Sequence, residues 1–150
     1  MFLFSLTEVI SKIRAFVFSS HLGEVTESFK DKKLESAIED ALSKYGGGST
    51  DYAQAFSDLV SLCMEDIDKK TTVVILGDAR NNFGPEKAYL LKGIYERAKQ
   101  VFWLNPEGKY RWDTGDSVMK TYSAYCTKIF QCGNLRQLER VIATLLRTAI

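Results

Sequence analysis

The chain has 150 residues, 45% of them apolar and 26% charged, which excludes a disordered protein and allows one domain with its own core. Twenty Lys and Arg against nineteen Asp and Glu leave a net charge of +1, so no long-range field draws nucleic acid or an anionic membrane. Three cysteines without C-x-x-C spacing (Cys63, Cys126, Cys132) point to a reducing, cytoplasmic setting, and no apolar run approaches the ~18 residues of a membrane span.

MFLFSLTEVISKI, residues 1–13, has no basic n-region, is interrupted by Glu8 and has no small-residue cleavage site, so it reads as a helix from about Phe2 to Ile13 rather than a signal peptide. RAFVFSS, residues 14–20, reads as a strand, and LGEVTES as its antiparallel partner at a sheet edge. Over residues 31–45 a helical stripe of Leu34, Ala37, Ile38, Ala41, Leu42 and Tyr45 follows Asp31 as N-cap. After three glycines, Ser49, Thr50 and Asp51 lead into a second stripe of Tyr52, Phe56, Leu59, Val60, Cys63, Met64 and Ile67.

The period then changes. TTVVIL, residues 71–76, is apolar at successive positions, which predicts a strand buried on both faces of a parallel sheet. Pro85 at a helical N1 position opens a helix carrying Ala88, Leu91, Ile94, Tyr95 and Ala98, and VFWL, residues 101–104, is the next strand. A polar loop, EGKYRWDTGDS, precedes a shorter helix with Val118, Met119, Tyr122 and Tyr125 on one side, and TKIFQ, residues 127–131, is a third strand. Asn134 and Gln137 form a capping box for a last helix whose stripe is Leu135, Leu138, Ile142 and Leu145. The alternation predicts an α/β fold of Rossmann-like, doubly wound type: a mostly parallel sheet, helices on both faces and an antiparallel edge hairpin. The opening helix has no strand ahead of it to feed it.

Ligands of such sheets sit outside the carboxyl ends of the strands, which directs attention to Ser19, Ser20, His21, Gly77, Asp78, Asn105, Gln131 and Cys132. Asp78 ends a strand, where a carboxylate either holds a hard divalent cation or caps its own turn. The tract from Gly46 to Asp51 follows a helix and lacks a lysine, so it is no phosphate loop. It is either a flexible helix connection or a close backbone approach that turns the Thr50 hydroxyl toward an ion. His21, the only histidine, reads as a strand-end or surface residue, no nucleophile elbow occurs, and Cys126 and Cys132 read as inert thiols rather than zinc ligands. Asp78 is no receiver-type phosphoacceptor, because no acidic pair follows the first strand. Tyr110 and Trp112 beside Lys109 and Arg111 could stack on a base or a partner, or be a partly packed surface loop.

FVFSS, GGGSTDYAQAF, VVILGDARNNF, VFWLNPEGKYRWDTGDS and NLRQLERVI occur in an order that resembles CoxE-like proteins, a branch of the von Willebrand factor A (VWA) domains, over nearly the whole chain. The resemblance implies a Rossmann-like VWA fold with a metal-ion-dependent adhesion site, where Mg²⁺ sits at the top of the sheet and a partner's carboxylate completes its shell. Thr50 would be the hydroxyl ligand and Asp78 the carboxylate ligand. It also implies a MoxR-type AAA ATPase as partner, in maturation of other enzymes or metal insertion into them.

The Asp-x-Ser-x-Ser loop that carries the principal ligands of VWA sites occurs nowhere in this sequence. The expectation is therefore a single VWA domain over residues 1–150, N-terminally incomplete, with a partial site at Thr50 and Asp78. Loss of a central strand would expose strand edges and permit self-association. The leading functional expectation is a non-enzymatic protein-binding module. The alternative is a metal-independent scaffold or assembly protein that keeps the fold, and a small enzyme using the strand-end crevice comes third for want of a nucleophile-base pair.

Overall fold

The computed structural model describes residue 10 and residues 12–149. Most of the expected opening helix lies outside the described residues; Ile10, Lys12 and Ile13 belong to no regular element.

A parallel sheet of three strands in the order β3-β4-β5 forms the centre: β3 is Thr72–Leu76, β4 Gln100–Asn105 and β5 Lys128–Gln131. Thr72 to Leu76 stand opposite Gln100 to Leu104, and Phe102 to Asn105 opposite Lys128 to Gln131. Every residue of β4 is buried, as a near-continuous apolar run in a parallel sheet requires. Its side chains alternate. Val101 and Trp103 pack with Tyr52 and Phe56 of α3 (Tyr52–Cys63), Leu91 and Ile94 of α4 (Ala88–Arg97), and Met119 and Tyr122 of α5 (Met119–Ser123). Phe102 and Leu104 face the other way, against Val141 and Leu145 of α6 (Leu135–Ala149). Helices thus cover both faces of an α/β, Rossmann-like sheet.

The hairpin is as expected in its pairing, with β1 (Phe16–Phe18) antiparallel to β2 (Leu22–Glu24). It is not the edge of the parallel sheet: among the described residues it is a two-stranded sheet by itself. Side chains hold it in place instead. Phe16 and Phe18 pack on the Tyr52 and Phe56 cluster, Val17 packs with Ala15, Val25 and Ala41, and the Leu22 N–H donates to Asp58 of α3 at 3.0 Å. Arg14 braces the hairpin through Glu24 and Asp66, and its guanidinium holds the Glu24 carboxyl down to about 2.

Several local expectations are corrected. Residues 26–31 form a separate helix, α1 (Thr26–Asp31), so Asp31 ends a helix and does not cap the next; α2 is Leu34–Tyr45 with Lys33 at its N-cap. Of the α2 stripe, Ala37 and Ala41 are buried and Tyr45 packs on the hairpin over Gly23, while Ile38 and Leu42 are exposed. β3 is not buried on both faces; among the described residues it is the sheet's edge, Leu76 is 57% exposed, and β4 takes the central place. Pro85 does not open α4. Asn81 Nδ2 donates to the carbonyls of Gly84 and Pro85, which keeps the chain in a loop until Lys87. The α6 cap forms, with the Gln137 N–H donating to Asn134 and the Gly133 N–H to the Gln137 side chain. Leu135 stands outside the buried stripe at 67% exposure, and Val141 replaces it in the core.

Candidate functional site

The carboxyl ends of β1, β3 and β4 converge with the α2–α3 loop, and one tyrosine ties most of them together. Tyr52 opens α3, is 2% exposed, and stacks among Phe18, Phe56, Trp103 and Tyr122 with ring centroids 5.1 to 6.3 Å away. Its hydroxyl accepts the Ala79 N–H at 3.1 Å and donates to Asp78 Oδ1 at 3.4 Å, and its own N–H donates to Asn81 Oδ1 at 3.1 Å. This approach needs Gly77, since a Cβ there would lie 2.0 Å from the Tyr52 oxygen. Burial pushes the Tyr52 phenol above its ordinary range, and the Asp78 charge adds to the effect, so the hydroxyl stays protonated and serves as a fixed donor.

Thr50 and Asp78, the two expected metal ligands, therefore lie on loops that the fold joins. Asn82 Nδ2 donates to the Thr50 carbonyl at 2.9 Å, and the following residue, Asp51, caps α3 by accepting the Gln54 N–H at 2.9 Å. Asp51 also donates its N–H to Ser19 at the end of β1. Asp78 Oδ1 accepts the Arg80 N–H at 3.0 Å, the geometry of a carboxylate capping its own turn, while Asn105 Nδ2 donates to the Asp78 carbonyl. Among the described residues, the Thr50 hydroxyl and Asp78 Oδ2 make no hydrogen bond, and no group of three acidic, histidine or cysteine side chains is placed to hold a metal. A hydroxyl and a carboxylate are suitable hard donors, but two protein oxygens leave most of an octahedral Mg²⁺ shell to water and partner atoms.

An ion cluster that residue spacing does not reveal fixes the rim. Arg80 grips both oxygens of Glu107 at 3.0 and 2.9 Å, and also reaches Asp116 at 2.9 Å and the Thr114 carbonyl at 3.0 Å. Its guanidinium holds the Asp116 carboxyl below the usual carboxylate range, and Asp116 accepts the Asn82 N–H as well. The loops after β3 and β4 are thus one unit. Within it Ala79, Asn82, Phe83 and Lys87 have φ between 44° and 58°, a left-handed conformation unusual outside glycine. Phe83 is held there 86% exposed, and Tyr110 on the neighbouring loop is 84% exposed. Trp112 by contrast packs on the core and donates Nε1–H to the Glu107 carbonyl.

The motifs that bear on catalysis stay apart. His21 is exposed with Nδ1 3.3 Å from the Ser20 hydroxyl, and among the described residues no carboxylate orients its ring. Burial raises all three thiols, Cys126 to about 12, which leaves them protonated and poor nucleophiles. Gln131 and Cys132 lie at the end of β5 beside Asn105, whose carbonyl accepts the Cys132 N–H, but among the described residues neither side chain bonds to Tyr52 or Asp78.

The family model for VWA domain containing CoxE-like protein matches residues 1–141. The chain belongs to this family. Comparison with curated proteins and with solved structures gives no match. In this CoxE-like VWA chain, Tyr52 and Asn82 bind together the loop that holds GGGSTD and the loop that holds GDARNNF. In the sequence Tyr52 reads only as the first residue of the α3 core stripe, and Arg80, Asn81 and Asn82 are not assigned to a site; the signal for them was the asparagine pair, a turn-forming type.

Proposed function

We propose that this CoxE-like VWA chain is a non-enzymatic protein-binding module that receives its partner on the carboxyl-end loops. It would act with a MoxR-type AAA ATPase in the maturation or assembly of other proteins. Thr50 and Asp78 would supply two positions of a partial Mg²⁺ site, and water and a partner's carboxylate the remainder. The observation that carries this reading is the bonding of the Thr50 loop to the Asp78 loop through Tyr52, Asn81 and Asn82. A bound Mg²⁺ would supply a fixed positive charge that selects an acidic partner group. The chain's own residues do the rest: Arg80 locks two loops in one shape, so little ordering entropy is lost on docking, and Phe83 offers an exposed aromatic anchor.

Calorimetric titration of Mg²⁺ into the chain and into Asp78→Ala tests the ion site; heat in the first and none in the second is expected, and identical heats remove Asp78 from it. Capture of a purified MoxR-type ATPase, with and without EDTA, tests the partner. A second reading, a metal-independent scaffold, is favoured by the two donors that Asp78 Oδ1 already has, the Tyr52 hydroxyl and the Arg80 N–H. It predicts capture that EDTA does not alter.

A further inference from the structure

A second surface lies on the opposite edge of the parallel sheet. Among the described residues β5 is the end strand, and between it and α6 runs a groove of about 400 Å³ lined by Lys109, Lys128, Phe130, Gln137, Arg140 and Val141, among others. All four residues of β5 line it. Successive side chains of a strand point to opposite faces, so a groove that meets all of them runs along the strand's open edge. There, the backbone N–H and C=O groups not used toward β4 face outward and are ready to pair with another extended segment.

The charge of this groove is one-sided. Its lining includes three cations and no carboxylate, and among the described residues Lys109, Lys128 and Arg140 make no ion pair. The Lys128 ammonium lies over the Phe130 ring, 5.0 Å from its centroid, and both residues line the groove. A near-neutral chain thus carries a local positive channel on an open strand edge. A second copy of the chain would bring the same three cations to this edge with no carboxylate to meet them, which disfavours edge-to-edge self-pairing.

We propose that this edge binds an acidic, extended peptide segment of a partner protein, which adds as a fourth strand beside β5 while its carboxylates meet Lys109, Lys128 and Arg140. Backbone pairing supplies the affinity, and the three cations together with Phe130 supply the selection for alternating acidic and apolar side chains. This site is separate from Thr50 and Asp78 and does not depend on any ion there.

The test is fluorescence polarisation of a labelled peptide alternating Glu and Val, long enough to span β5, titrated with the full chain. Saturable binding is expected, weakened roughly tenfold or more in Lys128→Glu/Arg140→Glu and in the milder Lys128→Gln/Arg140→Gln, and unchanged in Asp78→Ala. The same peptide methylated on alternate backbone nitrogens should lose binding, because its charge is intact but its strand pairing is blocked. Failure of the Glu-Val peptide to bind overturns the proposal, as does equal binding by the methylated peptide or by both double variants. Tighter binding of a single-stranded oligonucleotide than of the peptide overturns it in favour of nucleic acid.

Discussion

Replacing Tyr52 by Phe removes one oxygen from the centre of the site and leaves the ring among Phe18, Phe56, Trp103 and Tyr122. Ala79 is 0% exposed, so its N–H, which donates to that oxygen at 3.1 Å, is left buried and without a partner. An orphaned buried donor costs about 1–3 kcal/mol, and with a urea m-value of about 2 kcal/mol per M the unfolding midpoint should fall by roughly 0.5–1.5 M. Asp78 loses a donor too, but it is half-buried and keeps the Arg80 N–H, so it adds little. The measurement is urea unfolding followed by fluorescence and by far-UV circular dichroism, which should give coincident transitions and an unchanged m-value. A midpoint within about 0.2 M of the unsubstituted chain would refute the claim that this hydroxyl satisfies Ala79 and ties the loops.

Three further outcomes are expected. Gly77→Ala puts a methyl 2.0 Å from the Tyr52 oxygen and should cost about 1–3 kcal/mol, less when combined with Tyr52→Phe, so a double-mutant cycle in urea should be sub-additive. Asn134→Ala removes the acceptor of the Gln137 N–H and should destabilise the fold by about 1 kcal/mol, seen as a lower midpoint. Because Arg80 depresses the Asp116 carboxyl, the stability from that contact is complete above the unfolded-state value of about 3.9 and is lost as pH falls through the lower folded value. The midpoint difference between the unsubstituted chain and Arg80→Met should therefore be constant from neutral pH to about 4 and narrow below it; a difference that grows on acidification would contradict the ion cluster.

How much was legible in the sequence follows from how local each signal is. The β4 run, the α3 stripe as far as Cys63 and the capping residues Asp51 and Asn134 act within a few residues of themselves, and each stands where the pattern puts it; Met64 and Ile67, expected to continue the stripe, lie beyond the end of the helix. Pro85 and Asp31 failed for a different reason: both residue types can start a helix, but side-chain bonds from Asn81 to the carbonyls of Gly84 and Pro85 and an unforeseen helix at Thr26–Asp31 took those positions first. Periodicity likewise marked Ile38, Leu42 and Leu135 as facing inward, although a helix offers a wide apolar stripe and only the neighbours decide how much of it is covered.

By itself, then, the sequence determined the α/β class, the alternation of strand and helix and the family, because hydrophobic period and motif order are properties of the chain. It also placed Thr50 and Asp78 at loop positions. Only the tertiary structure decided that β4 rather than β3 is the buried centre and that the hairpin forms its own sheet. It alone joined Thr50 to Asp78 through Tyr52 and Asn82, and set three cations, unpaired among the described residues, in the groove along β5. The physical reason is distance along the chain. Arg80 meets Glu107 across 27 residues and Asp116 across 36, and Tyr52 meets Ala79 across 27, separations at which no local propensity constrains which side chains meet.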